Sequence, residues 1–131
     1  YFPTCSDIGL LFRGLMIAQD IPTAYVETFH EDYLLDREFH THTWARVFDD
    51  ERSVLVNPNL NPKIEEDEVR ILPYVILVEG LDCWDVEISS YNELHKQKRI
   101  HKNELLARLE KNRIIEFERR MKAIKSARNR Q

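Results

Sequence analysis

From Tyr91 to Gln131 the chain has neither glycine nor proline. The stretch is entered through Ser90-Tyr-Asn-Glu93, a capping box in which a serine oxygen and a glutamate three residues on satisfy the first free amides of a helix. One long helix over 91–131 is therefore predicted, and residues 1–90 must form the rest. Its apolar positions, Leu105, Leu106, Leu109, Ile114, Phe117, Met121 and Ile124, keep helical spacing. They slip by a residue between Leu109 and Ile114, so three heptads are not sustained, and an amphipathic helix packed on its own domain or a neighbour is expected rather than a coiled coil. Charge divides the chain at the same place. Residues 91–131 hold thirteen Lys/Arg against five Asp/Glu, and residues 1–90 hold six against eighteen. An acidic body and a basic helix are self-complementary. The helix is also free to meet a protein partner or a second copy of the chain. Nucleic acid fits less well, because five acids interrupt the cations and only Tyr91 and Phe117 offer rings for stacking.

At 131 residues the chain has the size of one domain with a modest core. Cys5 and Cys83 make no disulfide framework, which suits a reducing compartment, and a cytoplasmic location is expected. The first residues have no basic and apolar leader pattern. No run of 18 uncharged apolar residues occurs, so no membrane span is expected.

The coarse pattern is α+β. Thr4 can cap a helix, with Asp7 as its capping-box acid, and Ile8, Leu11, Phe12, Leu15 and Met16 recur on one face. This helix should stop near residues 18–20, because Pro22 turns Ile21 away from helical dihedrals. Residues 23–29 read as a strand and 30–41 as a loop or short helical excursion. Residues 42–48 and 53–56 read as a hairpin closed by the turn 49–52. A loop with two Asn-Pro steps follows over 57–62, then an acidic connector over 64–70. The apolar run 71–78 reads as a buried strand, with one more short strand over 84–88. The expected fold is a helix beginning at Cys5 packed on an antiparallel β-sheet, followed by the long C-terminal helix.

Three residues in this pattern carry chemistry. Cys5 falls in the first turn of its helix, where the partial positive charge of the helix end favours a negatively charged sulfur. His42 opens a strand, and Asn57 leaves the next strand of the hairpin at the same end. An imidazole can take a thiol proton, and an amide oxygen can hold the far ring N–H and so fix the tautomer. Each residue has a plainer reading: a small buried cysteine, a surface histidine, a turn asparagine. Their joint placement makes a thiol-nucleophile site the better account. Trp44 is a further candidate to touch substrate, although packing beside the imidazole is its plainer role.

Here the chain resembles a known superfamily. Cys5 to Val26, ending in Asp20-Ile-Pro-Thr-Ala-Tyr-Val26, looks like the nucleophile helix and following strand of transglutaminase-like domains. His42-Thr-Trp-Ala-Arg-Val47 is similar to their His-Ala-Trp block, and Val54-Leu-Val-Asn-Pro58 to the strand that ends in Asp-Pro. The segment 78–88 is similar to a stretch in microbial members. The resemblance covers residues 5–58. It implies a papain-like α+β core over 1–90, with Cys5 as nucleophile, His42 as general base and Asn57 as orienting residue. The reaction implied is acyl transfer at an amide through a thioester, with water as acceptor for peptide or amide hydrolysis, or an amine for transamidation. No cofactor is implied. Two departures stand out. Asn57 replaces the usual aspartate and cannot stabilise imidazolium by charge. Only four residues precede Cys5, where the family supplies an oxyanion-hole donor, so the core is expected to lack part of its N-terminal segment.

Two other readings compete. His30, Glu31, His40 and His42 include a His-x-His pair of the kind zinc accepts, without the helical His pair or Cys pair that usually accompanies it. The fold could also be retained as an inactive interaction module, with the basic helix gripping a protein or nucleic-acid partner.

Overall fold

The computed structural model describes residues 5–59, 63–82, 84–88 and 90–130. The predicted cap at Thr4 and the second cysteine, Cys83, lie outside them. The architecture is α+β, with helix α1 (Cys5–Ala18), strand β1 (Thr23–His30), a single turn α2 (Glu31–Leu34), strands β2 (Thr41–Asp49), β3 (Arg52–Asn57), β4 (Lys63–Glu65) and β5 (Tyr74–Gly80), and helix α3 (Tyr91–Asn129). The five strands form one sheet in the order β4-β3-β2-β1-β5, antiparallel throughout. No helix among the described residues is long and apolar enough to cross a membrane.

α1 ends as the proline predicted, with more detail than the sequence offered. Asp20 takes a left-handed φ of 61°. The Ile21 N–H then bonds the Met16 carbonyl, and the Asp20 N–H bonds the Ile17 carbonyl. This is a Schellman motif, which satisfies the last helical carbonyls and turns the chain. β1 follows at once, and its residues from Tyr25 to Phe29 are all buried. Because successive side chains alternate across a strand, the register sorts the sheet into two faces. Tyr25, Glu27, Thr43 and Ala45 share one face; Val26, Thr28, His42 and Trp44 share the other.

α1 packs across β1 and β2 on the first face. The fit is close at Gly9, where a Cβ would stand 2.7 Å from Thr43 Cγ2. α3 covers the same face further along, setting Leu105 and Leu109 into a cluster with Phe29, Tyr33, Leu34 and Val75. The opposite face gathers Val26, Trp44, Leu55 and Ile71, with Tyr74 and Ile76 against them.

Three expectations need correcting. The acidic connector 64–70 is instead the edge strand β4 and a 3-10 turn over Glu68–Ile71, capped by Asp67, whose carboxylate accepts the Val69 and Arg70 N–H groups. The strand expected to be buried starts at Tyr74 rather than at 71, since Ile71 still belongs to that turn, and it is an edge strand in which only Val75 is fully buried. The short strand at 84–88 does not form. Asp82 accepts the Asp85 N–H and Asp85 accepts the Leu81 N–H, so side chains consume the donors that a ladder needs. Glu87 then takes a φ of 60°, incompatible with a strand. The long helix begins where predicted, with Ser90 Oγ accepting the Glu93 N–H at 3.3 Å. Its first half belongs to the core of 1–90, whereas Ile114, Phe117, Met121 and Ile124 further along are exposed.

Truncation separates the two halves of α3. Leu109→Ala should cost about 2–5 kcal/mol through lost burial and a cavity. Ile124→Ala, on the exposed stretch, should change stability by less than about 0.5 kcal/mol. Urea unfolding midpoints of the two variants against the parent chain check this.

Candidate active site

The His42–Asn57 pair forms where the sheet opens, and neither residue lines the cleft over Cys5. The β2–β3 ladder begins at Ala45↔Val56 and runs toward the turn, so Thr41–Trp44 have no β3 partner in the register. Asn57, the last residue of β3, spans that opening with its side chain. His42 Nε2 and Asn57 Oδ1 lie 2.9 Å apart. The same Oδ1 accepts the Asn59 backbone N–H at 3.3 Å. An atom approached by a backbone N–H is the amide oxygen, so the His42 nitrogen facing it must donate. The tautomer follows: Nε2 carries the proton and Nδ1 keeps its lone pair. The imidazole is steadied by the edge of Trp44, with ring centroids 5.3 Å apart, and by Tyr74 at 5.9 Å.

Cys5 is a free, half-buried thiol in the first turn of α1. Its Sγ donates to Thr43 Oγ1 at 3.8 Å. The hydrogen bond thus goes to the residue beside His42 in β2, not to the imidazole. Neighbouring residues of a strand face opposite sides, yet the charge of Cys5 is felt on both. It helps to raise the pKa of Glu27 on one face and of Tyr74 on the other, in each case after burial as the larger cause. His42 acts on Glu27 as well, with a lowering effect.

Glu27 was not singled out in the sequence, and it is the most perturbed carboxyl here. It is 3% exposed. Tyr25 Oη and Thr43 Oγ1 each donate to its Oε2 at 3.1 Å. Burial, then the Cys5 charge, pushes its pKa up to about 8. Tyr25 is raised too, by burial first and then by the Glu27 charge. Ser6 Oγ completes the cluster, 3.3 Å from Thr43 Oγ1. The signal that was available is a carboxylate at the centre of the apolar strand Tyr25-Val-Glu-Thr-Phe29, where an acid needs a partner or a proton.

Above this cluster lies a cleft of about 430 Å³, bounded by Cys5, Ser6, Tyr25, Glu27, Phe39 and Tyr91, among others. Phe39 and Tyr91 meet edge to face across its rim at 5.4 Å. A larger groove of about 550 Å³ lies at the far end of β2 and holds none of the reactive groups. Trp44 is core, 5% exposed and packed with Val26, Leu55 and Ile71. It does not line the cleft, so its packing role is the one the structure shows.

The histidines read as zinc ligands are otherwise engaged. Glu31 pairs with Arg113. His40 Nε2 bonds the Tyr74 hydroxyl at 2.7 Å, and His30 Nδ1 accepts the Asp32 N–H at 3.0 Å. Ligand atoms of His30, Asp32 and His40 do come within 4.8 Å of one another. The His30 and His40 rings, however, stack 4.0 Å apart at an interplanar angle of 5°. A metal lies in the plane of each imidazole it binds, and parallel stacked rings share no such point. As arranged, the pair is a ring stack rather than a chelate.

No protein-family profile, curated protein or solved structure matches the chain. The functional reading accordingly rests on this geometry and on the sequence pattern.

Glu27 carries a pH signature. Its native pKa, about 8, stands above the ordinary 4.5, so the folded state binds the extra proton. The stability this gives is complete below about pH 4.5 and is lost as pH rises through about 8. Glu27→Gln, which cannot ionise, should remove that loss. Thermal unfolding at pH 5 and pH 9 should show the melting temperature falling by several degrees more in the parent than in the variant.

Proposed function

We propose that the chain is a transglutaminase-like cysteine acyl-transfer enzyme acting on amide bonds, with Cys5 as nucleophile, His42 as base and then acid, and Asn57 as orienting residue. The observation that carries this reading is the His42–Asn57 pair. The Asn57 oxygen holds Nε2–H and leaves the Nδ1 lone pair to receive a proton.

The chemistry balances in two half-reactions. The Cys5 thiol gives its proton to His42 Nδ1, and the sulfur bonds the amide carbonyl carbon as the C=O pair moves to oxygen. The pair returns, the C–N bond breaks, and the leaving amine takes the proton from Nδ1. A thioester remains. Water or a primary amine attacks it, again losing a proton to Nδ1, and the sulfur leaves as thiol. The first backbone N–H groups of a helix have no intrahelical partner, and in this scheme those at the start of α1 serve as oxyanion donors. The present Sγ contact with Thr43 suits a resting state, since catalytic hydrogen bonds often tighten only when substrate is bound. The aromatic rim of Phe39 and Tyr91 supports a peptide or another amide with apolar groups as the acyl donor. No metal or organic cofactor enters this scheme.

A second reading has one observation behind it. The exposed stripe Ile114, Phe117, Met121 and Ile124 on a basic helix would suit a module kept for binding a protein partner or a second copy.

Thiol labelling decides between them. Iodoacetamide at neutral pH should modify Cys5 faster than Cys83, and His42→Ala should abolish the difference, as read by mass spectrometry. Equal labelling of both cysteines in the parent would favour the binding module. Turnover of peptide amides, with and without an added amine, should vanish in Cys5→Ala and fall about 10²–10⁴-fold in His42→Ala. Asn57→Ala should reduce turnover less than His42→Ala, and Asn57→Asp should retain it.

A further inference from the structure

The reaction above leaves one buried acid beside the nucleophile unused. Glu27 lines the same cleft as Cys5, and a single hydroxyl, that of Thr43, links the two. Cys5 Sγ donates to Thr43 Oγ1 at 3.8 Å, and Thr43 Oγ1 donates to Glu27 Oε2 at 3.1 Å. Both bonds run the same way, from thiol to carboxylate. Tyr25 Oη donates to the same Oε2, and Ser6 Oγ lies against the Thr43 hydroxyl.

We propose that Cys5 and Glu27 hold one proton between them, exchanged through the Thr43 hydroxyl. The inference rests on the reading of Cys5 as nucleophile and extends it. In the exchange the thiol proton passes to Thr43 Oγ1 while the proton of Thr43 passes to Glu27 Oε2. The S–H and Thr43 O–H bonds break, a new Thr43 O–H and a carboxyl O–H form, and the negative charge moves from carboxylate to sulfur. No other reactant is needed. Thr43 is then a catalytic residue, because it touches the reacting sulfur; Glu27 is a positioning residue that acts through it.

Burial opposes charge in this cluster, and it opposes two negative charges more than one. Titratable groups around Glu27 are Cys5 from α1 and Tyr25 on its own strand, with Tyr91 of α3 across the cleft and His42 of β2 acting from the other face of the sheet; β5 offers Val78 as its strand partner. Burial and the Cys5 charge both disfavour ionised Glu27, and only His42 among these groups favours it by charge. A proton shared along this hydrogen-bonded chain makes the two groups one titrating pair. Glu27 sets how much of the nucleophile is ready at a given pH.

The test is the rate of Cys5 alkylation by iodoacetamide across pH 5–11, followed by mass spectrometry. The parent should rise in two steps. Glu27→Gln should give one step and react several-fold faster at pH 8. Thr43→Ser should keep the two steps and Thr43→Val should lose them. A Glu27→Gln profile that overlays the parent, or two steps surviving in Thr43→Val, would overturn the proposal. Should Glu27→Gln not fold, the 13C titration of the Glu27 carboxyl in the parent and in Cys5→Ala gives the reciprocal measurement. A downward shift in Cys5→Ala supports the shared proton, and an unchanged titration refutes it. Neither readout needs turnover. An inactive protein with a two-step profile would defeat the acyl-transfer reading alone; an active one with a single step would defeat this inference alone.

Discussion

How closely α1 can lie on β2 determines the rest of the site. Gly9 permits the approach, since any side chain there would run into the Thr43 methyl. At the other end of the helix, Arg13 Nε donates to the Thr23 carbonyl at 2.9 Å, tying α1 to the start of β1. Held at both points, the helix has little freedom to slide, and its first turn delivers Cys5 to the Thr43 hydroxyl. The loop side contributes through Asn57 and Asn59, which together fix the ring of His42. Thiol and imidazole thus come from two separately anchored elements.

Charge works differently inside and outside this chain. Inside, Glu27 is sheltered by hydroxyl donors rather than by a cation, and neutrality is the cheaper state for it. Outside, the acidic body and basic α3 meet in pairs: Asp36 with Lys98 and Lys102, Asp67 with Arg119, Glu31 with Arg113. Ion pairs at a solvated surface are screened and add little stability. They set where α3 lies, while burial of Leu105 and Leu109 supplies most of its hold on the body.

The sequence carried the elements better than it carried their contacts. Pro22 and the Ser90 box marked two helix ends to within a residue or two, because both act through local backbone chemistry. The His42–Asn57 pairing was legible because a hairpin brings fixed register positions to one end. The turn at 84–87 was missed, since alternation in Trp-Asp-Val-Glu-Ile mimics a strand while Asp82 and Asp85 take the backbone donors. Glu27 and Thr43 went unnoticed for another reason. A threonine between histidine and tryptophan and a glutamate within a strand are ordinary in one dimension. They become a cluster only when β1 pairs with β2 in the register Glu27↔Thr43 and α1 comes down on top.

α3 joins two things that usually stay apart. Its first residues, Tyr91 and Leu94, form one wall of the cleft over Cys5, and from Met121 onward every described residue is exposed. At about 1.5 Å per residue the helix is roughly 58 Å long, with no glycine or proline to hinge it. The cleft wall and the exposed stripe at Phe117 and Met121 are therefore carried by one continuous rod, seated on the body between them through Leu105 and Leu109.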